Sequence, residues 1–176
     1  MKALVVYESM WGNTEQVARA VARGLTEAGE VEVLDVSGDA PRRLDGVDLL
    51  VVGGPTHAFS MSRPQTRADA VQKGAPTGHE GRGIREWLAE LPASDDVAVA
   101  TFDTRVEKVR RLPGSAAKKA AKEVRRHHLG RLVDTESFYV DDMEGPLVDG
   151  ELERAEEWGH QLAGTLPAMR EPVPMS

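Results

Sequence analysis

The chain has 176 residues, of which 40% are hydrophobic and 29% charged, with a formal net charge of −7. These are the proportions of an ordinary globular protein long enough to bury a proper core. Cysteine is absent, which excludes disulfides, thiolate metal sites, iron–sulfur ligation and cysteine nucleophiles, and leaves redox chemistry to a bound cofactor.

From the N-terminus, the apolar run Leu4-Val5-Val6 predicts a strand that stops at Glu8. A loop carrying Ser9, Gly12, Asn13 and Thr14 follows, and then apolar residues recur at Val17, Ala18, Val21 and Leu25, the period of a helix. A strand that turns through such a loop into a helix aims several backbone N–H groups at one point. That point is also the positive end of the helix dipole, so it suits a phosphate. The loop has no Lys or Arg from Glu8 to Thr14, and the chain has no Gly-Lys pair. Amides and hydroxyls must therefore hold the anion, and a lysine-dependent nucleotide loop is excluded. A dinucleotide fingerprint needs three glycines here, and only Gly12 is present. The loop reads as a site for one small phosphomonoester. Ser9, Asn13 and Thr14 are also good helix caps, a role compatible with binding.

The second strand is expected over Val31–Val36. The connection from Ser37 to Val47, with Pro41 and Gly46, leaves room for a short helix at most. Asp48–Gly54 is a near-continuous apolar run, the pattern of a strand buried on both faces of a parallel sheet. The stretch from Ala58 to Gly83 has few large apolar residues and many glycines and prolines. A structureless loop of that length is usually functional or mobile, although Pro64 to Lys73 can hold a short helix with Pro64 in its first turn. Because it follows the third strand, this stretch should border the ligand site. Ile84, Trp87, Leu88 and Leu91 mark a helix that Pro92 ends. Val97–Phe102 is the fourth strand, and a helix over Ser115–His127 puts its alanines and Val124 on one face and its basic residues on the other. Arg131–Val140 contains the fifth strand. The last helix starts near Asp149 or Gly150, with Leu152, Ala155, Trp158 and Leu162 as its buried stripe. The proline-rich tail after Leu166 is expected to fray.

Strands alternating with helices imply an α/β fold with a doubly wound, five-stranded parallel sheet. The order 2-1-3-4-5 fits, with the ligand beyond the carboxyl ends of the first and third strands. The net charge hides a strong segregation. Between Arg105 and Arg131 ten Lys and Arg stand against Glu107 and Glu123, whereas between Glu136 and Glu157 nine acids stand against Arg154. Such blocks are commonly solvated helix faces, but the basic one begins beside the expected ligand site. Other chemistries lack their patterns. The five histidines are scattered, the acids after Val140 lack calcium-loop spacing, and no Gly-x-Ser-x-Gly turn is present. The only apolar stretch near the N-terminus, Ala3 to Tyr7, is too short for a signal peptide, and no later run approaches the roughly 20 residues of a membrane span. A cytoplasmic location, with no membrane insertion and no nucleic-acid partner, is the expectation.

The hexapeptide Ser9-Met10-Trp11-Gly12-Asn13-Thr14 resembles the phosphate loop of the flavodoxin family, whose usual form is Ser/Thr-x-Ser/Thr-Gly-x-Thr. It matches at Ser9, Gly12 and Thr14 and departs at Trp11. Ser-Met-aromatic-Gly is closer to the quinone reductases similar to tryptophan-repressor-binding protein, which share that fold. The resemblance covers roughly residues 1–165 as one flavodoxin-like domain, leaving 166–176 as the tail, and it implies FMN as cofactor. It also implies that Pro55, Thr56, His57, Ala58 and Phe59 form a first flavin-flanking loop, and Phe102, Asp103, Thr104 and Arg105 a second. Three of these residues have a plainer alternative. Trp11 can cover neighbouring loops, His57 can be a structural hydrogen-bonder, and Asp103 can pair with Arg105. Some family members turn over a peptide beside the flavin, often at glycine. Thr56 to Ser60 contains none, so that change would be strained here. The resemblance implies an electron carrier that meets a redox partner protein, with Arg105–Arg111 as a possible docking segment for an acidic one. Two alternatives are an FMN-dependent NAD(P)H:quinone oxidoreductase and a flavin-free scaffold acting through a protein partner.

Overall fold

The computed structural model describes residues 1–166; the tail expected to fray lies outside the described residues. Five long strands form a parallel sheet: β1 (Lys2–Tyr7), β2 (Glu30–Asp35), β3 (Leu49–His57), β5 (Ala98–Val106) and β6 (Arg131–Val140). A two-residue strand, β4 (Ser60–Met61), hairpins back onto the end of β3. The order β2-β1-β3-β5-β6 is the expected doubly wound order with β4 set aside. The helices are α1 (Asn13–Leu25), α2 (Pro64–Gln72), α3 (Ile84–Glu90), α4 (Ala116–Arg126) and α5 (Glu151–Thr165). Among the described residues no helix is long and apolar enough to cross a membrane.

Alternation along the strands divides the core into two layers. Val5, Val51, Ala100 and Phe102 point toward α1 and α5, where Phe102, Phe138 and Trp158 meet edge to face. Leu4, Val6, Leu50 and Val52 point the other way, toward α3 and α4, with Trp87, Leu88 and Val124. Helices α1 and α5 cross closely at Gly24 and Gly159. A Cβ on Gly24 would fall 2.0 Å from the Glu156 carbonyl oxygen, and one on Gly159 2.3 Å from that of Val21.

The segment from Ser37 to Val47 forms turns without a helix. Side chains from elsewhere satisfy it: Trp87 Nε1 donates to the Pro41 carbonyl at 2.7 Å, and Arg82 donates to the carbonyls of Val36 and Ala40. Strands β3 and β5 run past their expected ends at Gly54 and Phe102. Pairing continues through Pro55 opposite Thr104, and between β5 and β6 through Val106 opposite Val140. This extra length carries both expected cofactor loops to one end of the sheet.

The long stretch after β3 is ordered by a buried arginine beside a few apolar contacts at Met61, Ala70, Val71 and Ala75. Arg67, on α2, is fully buried and donates to the carbonyls of Glu80 and Gly81 and to the Ser62 hydroxyl. Ser62 in turn donates to the buried carboxylate of Glu8, which also accepts from the Ile84 amide at 2.9 Å. Burial holds the Glu8 carboxyl above the usual carboxylate range, with Ser62, the Ile84 amide and Arg67 only partly opposing it. One ionic knot thus ties β1, α2 and α3 together where the sequence offers few large side chains.

Candidate functional site

A cavity of about 280 Å³ opens at the carboxyl ends of β1, β3 and β5, at the point where the strand order reverses and α/β sheets bind their ligands. A larger groove of about 820 Å³ lies at the opposite ends of the strands, between Asp45, Asp48, Asp96 and Arg131. It has no helix N-terminus and no unpartnered buried donor, so the first cavity is the better candidate.

The loop after β1 forms the first wall. Gly12 adopts φ 87°, a left-handed conformation open to glycine at little cost, and stands at the N-cap of α1 without any side-chain cap. The first amides of a helix have no intrahelical partner, and here no side chain covers them. The hydroxyl and amide side chains of the loop are used differently. Ser9 Oγ accepts from the Gly12 amide at 3.0 Å, and Thr14 Oγ1 shares a 2.7 Å hydrogen bond with Thr104 Oγ1. Asn13 Nδ2 donates to the Glu144 carbonyl at 3.1 Å, pinning the loop after β6. None of the three therefore caps α1. Met10 is buried against Ala70 and Ala75, and Trp11 packs beside them with its indole Nε1 buried and unpartnered.

The second wall comes from the end of β3 and from α2. Pro55, Thr56, His57 and Ala58 line the cavity. The Thr56 hydroxyl faces inward, donating to Asp103 Oδ2 at 2.8 Å and accepting from the Ala116 amide at 2.9 Å. The His57 ring lies 3.3 Å from Thr66 Oγ1, and its pKa is pulled down to about 4, by burial first and then by Arg67 and Lys73. It is a neutral imidazole at neutral pH, a hydrogen-bonding neighbour more than an acid. Ala58 (φ 46°) and Phe59 (φ 63°) form the two-residue turn between β3 and β4. Phe59 lies outside the cavity lining and is 49% exposed.

The end of β5 forms the third wall, where only Thr104 and Arg105 of the expected loop line the cavity. Phe102 is buried in the aromatic cluster, and a Cβ on Gly53 would strike its ring at 2.1 Å. Asp103 is fully buried behind the wall, where its Oδ2 also accepts from the Ala117 amide at 3.1 Å and its Oδ1 has no partner. The Asp103–Arg105 pair is not formed. The Arg105 guanidinium instead donates to the carbonyls of Val109 and Leu112.

Several cavity residues were not singled out in the sequence. Thr66, Asp69 and Ala70 come from α2 and Lys73 from its C-cap, and the position of this helix after the third strand was the available signal. Val106 and Val140 sit at strand ends whose lengths depend on pairing, Met143 lies in the turn after β6, and no local pattern marks them. No cluster of acidic and histidine side chains fit for a metal ion occurs among the described residues.

The cavity therefore joins an uncapped helix N-terminus, suited to a phosphate, with a mostly apolar slot holding two orphaned donors. A phosphorylated aromatic ligand with acceptor atoms on its ring fits that set. The family model described as Flavodoxin matches residues 5–74. Among solved structures, a flavodoxin from the domain Archaea is 21% identical, with 94% of this chain and 99% of that one covered at a TM-score of 0.64. Flavodoxin 2 from Bacillus cereus is 18% identical, with 93% and 97% covered at 0.64. The flavodoxin, WrbA-like protein from Agrobacterium tumefaciens is 20% identical, with 94% and 96% covered at 0.57. At these identities the structural likeness establishes the fold.

Proposed function

We propose that this chain, whose residues 5–74 match the Flavodoxin family model, is a flavodoxin-type protein that binds FMN at the carboxyl ends of β1 and β3 and serves in electron transfer, with residues 1–165 acting as one unit. The observation that carries this is the uncapped N-terminus of α1 opening onto a cavity with orphaned donors. The amides at Asn13 and Thr14 would receive the phosphate, Ser9 would hold the loop in shape, and Met10, Trp11 and the β3 and β5 ends would enclose the ring. A bound flavin supplies the electron-carrying chemistry, and the protein contributes position, exclusion of water and charge. The partner would be a redox protein meeting the cavity mouth, where Lys108, Arg110 and Arg111 are exposed.

One observation favours a second reading, an FMN-dependent NAD(P)H:quinone oxidoreductase. The turn at Ala58–Phe59 already holds two side-chain-bearing residues at positive φ, so its peptide has no cheap second conformation of the kind glycine provides. Purified protein should be yellow and release FMN, identified by chromatography, on denaturation. Steady NAD(P)H consumption with a quinone would select the reductase, and none would select the carrier. Colourless protein that takes up no added FMN would leave the flavin-free scaffold.

A further inference from the structure

Two donors in the cavity wall are buried and unpartnered: Trp11 Nε1 and Arg105 Nε. Arg105 is 7% exposed. Its guanidinium is held by two backbone carbonyls of the turn that follows β5, Val109 at 3.0 Å and Leu112 at 3.2 Å. It forms an ion pair with no carboxylate among the described residues, and Asp103, its expected partner, is engaged by Thr56 and Ala117. The cavity wall therefore contains a fixed positive charge whose buried Nε–H has no partner among the described residues.

The other charges around the cavity do not cancel it. Lys73 adds a second cation, though an exposed one. Asp69 is the only acid of the lining, and its Oδ1 accepts from Gln65 on the solvent side of α2. His57 is neutral. A buried donor without a partner is unfavourable until a ligand acceptor meets it, and in a cavity shielded from water a charge acts more strongly than at the surface.

We propose that Arg105 is a specificity-determining residue that binds the acceptor edge of the ring entering this cavity, and that its charge makes the protein prefer reduced, anionic FMN over oxidised FMN. Trp11 Nε1 supplies a second contact that is neutral and therefore indifferent to redox state. The inference rests on the FMN reading, and it identifies what distinguishes Arg105 from the rest of the wall. The carbonyls of Val109 and Leu112 fix the guanidinium before any ligand arrives, so binding need not order it.

Anaerobic titrations of the full-length protein with oxidised FMN and with dithionite-reduced FMN test this. The unmodified protein should bind the reduced form at least about tenfold more tightly, the worth of one charge-assisted hydrogen bond. Arg105→Gln should abolish that preference, and Arg105→Lys should keep most of it because the charge remains. Trp11→Phe should weaken both forms by a similar factor and leave their ratio unchanged. Thermal melts of the apoproteins identify any variant that has lost its fold, and the Lys variant still reports on the charge if Gln does not fold. An unchanged ratio in Arg105→Gln, or an unmodified protein that prefers oxidised FMN, overturns the inference while the FMN reading stands. Failure of the unmodified protein to bind FMN in either state overturns both.

Discussion

At the scale of single residues, the phosphate loop and His57 make separable predictions. Thr14 joins the loop to β5 through Thr104, so its hydroxyl shapes the anion site and also lies beside it. Thr14→Ala should weaken FMN by ~1–2 kcal/mol, the usual worth of a hydrogen bond at a charged group. Riboflavin, which has no phosphate, should bind the unmodified protein far more weakly than FMN and be less affected by the change. Isothermal titration of both ligands checks this, and equal affinities for the two would remove the phosphate from the site. For His57, the folded pKa of about 4 lies below the ordinary 6.5. The unfolded chain therefore binds the proton more readily. The stability from neutral His57 is fully present above about pH 6.5 and is lost as pH falls toward 4. The loss should reach at most about 3 kcal/mol. Urea denaturation at pH 7.5 and pH 4.5 should show a smaller drop for His57→Gln than for the unmodified protein, and equal drops would place the imidazole in solvent.

At the scale of elements, the β3–β4 hairpin carries a cost that the rest of the fold must offset. A two-residue turn with both central residues at positive φ favours Asn-Gly, and here Ala58 and Phe59 hold those positions. Left-handed backbone costs an ordinary residue about 1–2 kcal/mol. Replacing the pair by Ala58→Asn with Phe59→Gly should therefore stabilise the apoprotein by ~1–2 kcal/mol in thermal or urea melts, and a destabilised double variant would show that the Phe59 side chain contributes more than its backbone costs. The strands, the α1 turn, and the amphipathic helices α4 and α5 were legible because each is set by a local period or an apolar run, and strand order followed from their alternation. Strand ends were not, because Pro55, Thr104 and Arg105 are strand residues only by pairing with neighbours far along the chain. The stretch from Ala58 to Gly83 looked structureless because its order comes from the buried guanidinium of Arg67, and composition does not show which arginine is buried. At the cavity, Thr104 and Arg105 lie in the wall because β5 extends that far. Strand alternation turned Phe102 into the core, and Thr56 with the α4 amides drew Asp103 behind the wall.

At the scale of the whole molecule, the separated charge blocks become a spatial asymmetry. The basic block runs from the cavity wall at Arg105 through the exposed Lys108, Arg110 and Arg111 and then along the outward face of α4. The acidic block occupies the loop after β6 and the start of α5, which packs with α1 on the other face of the sheet. Helix α4 partly neutralises itself, since Glu123 lies within 4 Å of Lys119, Arg126 and His127. The turn after β5 does so less: Arg110 reaches Glu107 at 3.6 Å, and Arg111 has no ion-pair partner among the described residues. Leu112, 48% exposed, adds an apolar spot beside these charges. An acidic redox protein approaching the cavity mouth would therefore be steered by the turn more than by the helix. Steering between exposed charges fades once the Debye length shrinks below their separation, and that length is roughly 10 Å at 0.1 M salt and 3 Å at 1 M. In stopped-flow measurements, electron transfer between the FMN-loaded protein and an acidic carrier protein should slow steeply as salt rises. With Arg110 and Arg111 both changed to Ala the low-salt rate should drop and the salt dependence flatten, whereas Lys118→Ala with Lys122→Ala on α4 should have a smaller effect. A rate indifferent to salt, or one governed by the α4 lysines, would move the docking face away from the cavity mouth.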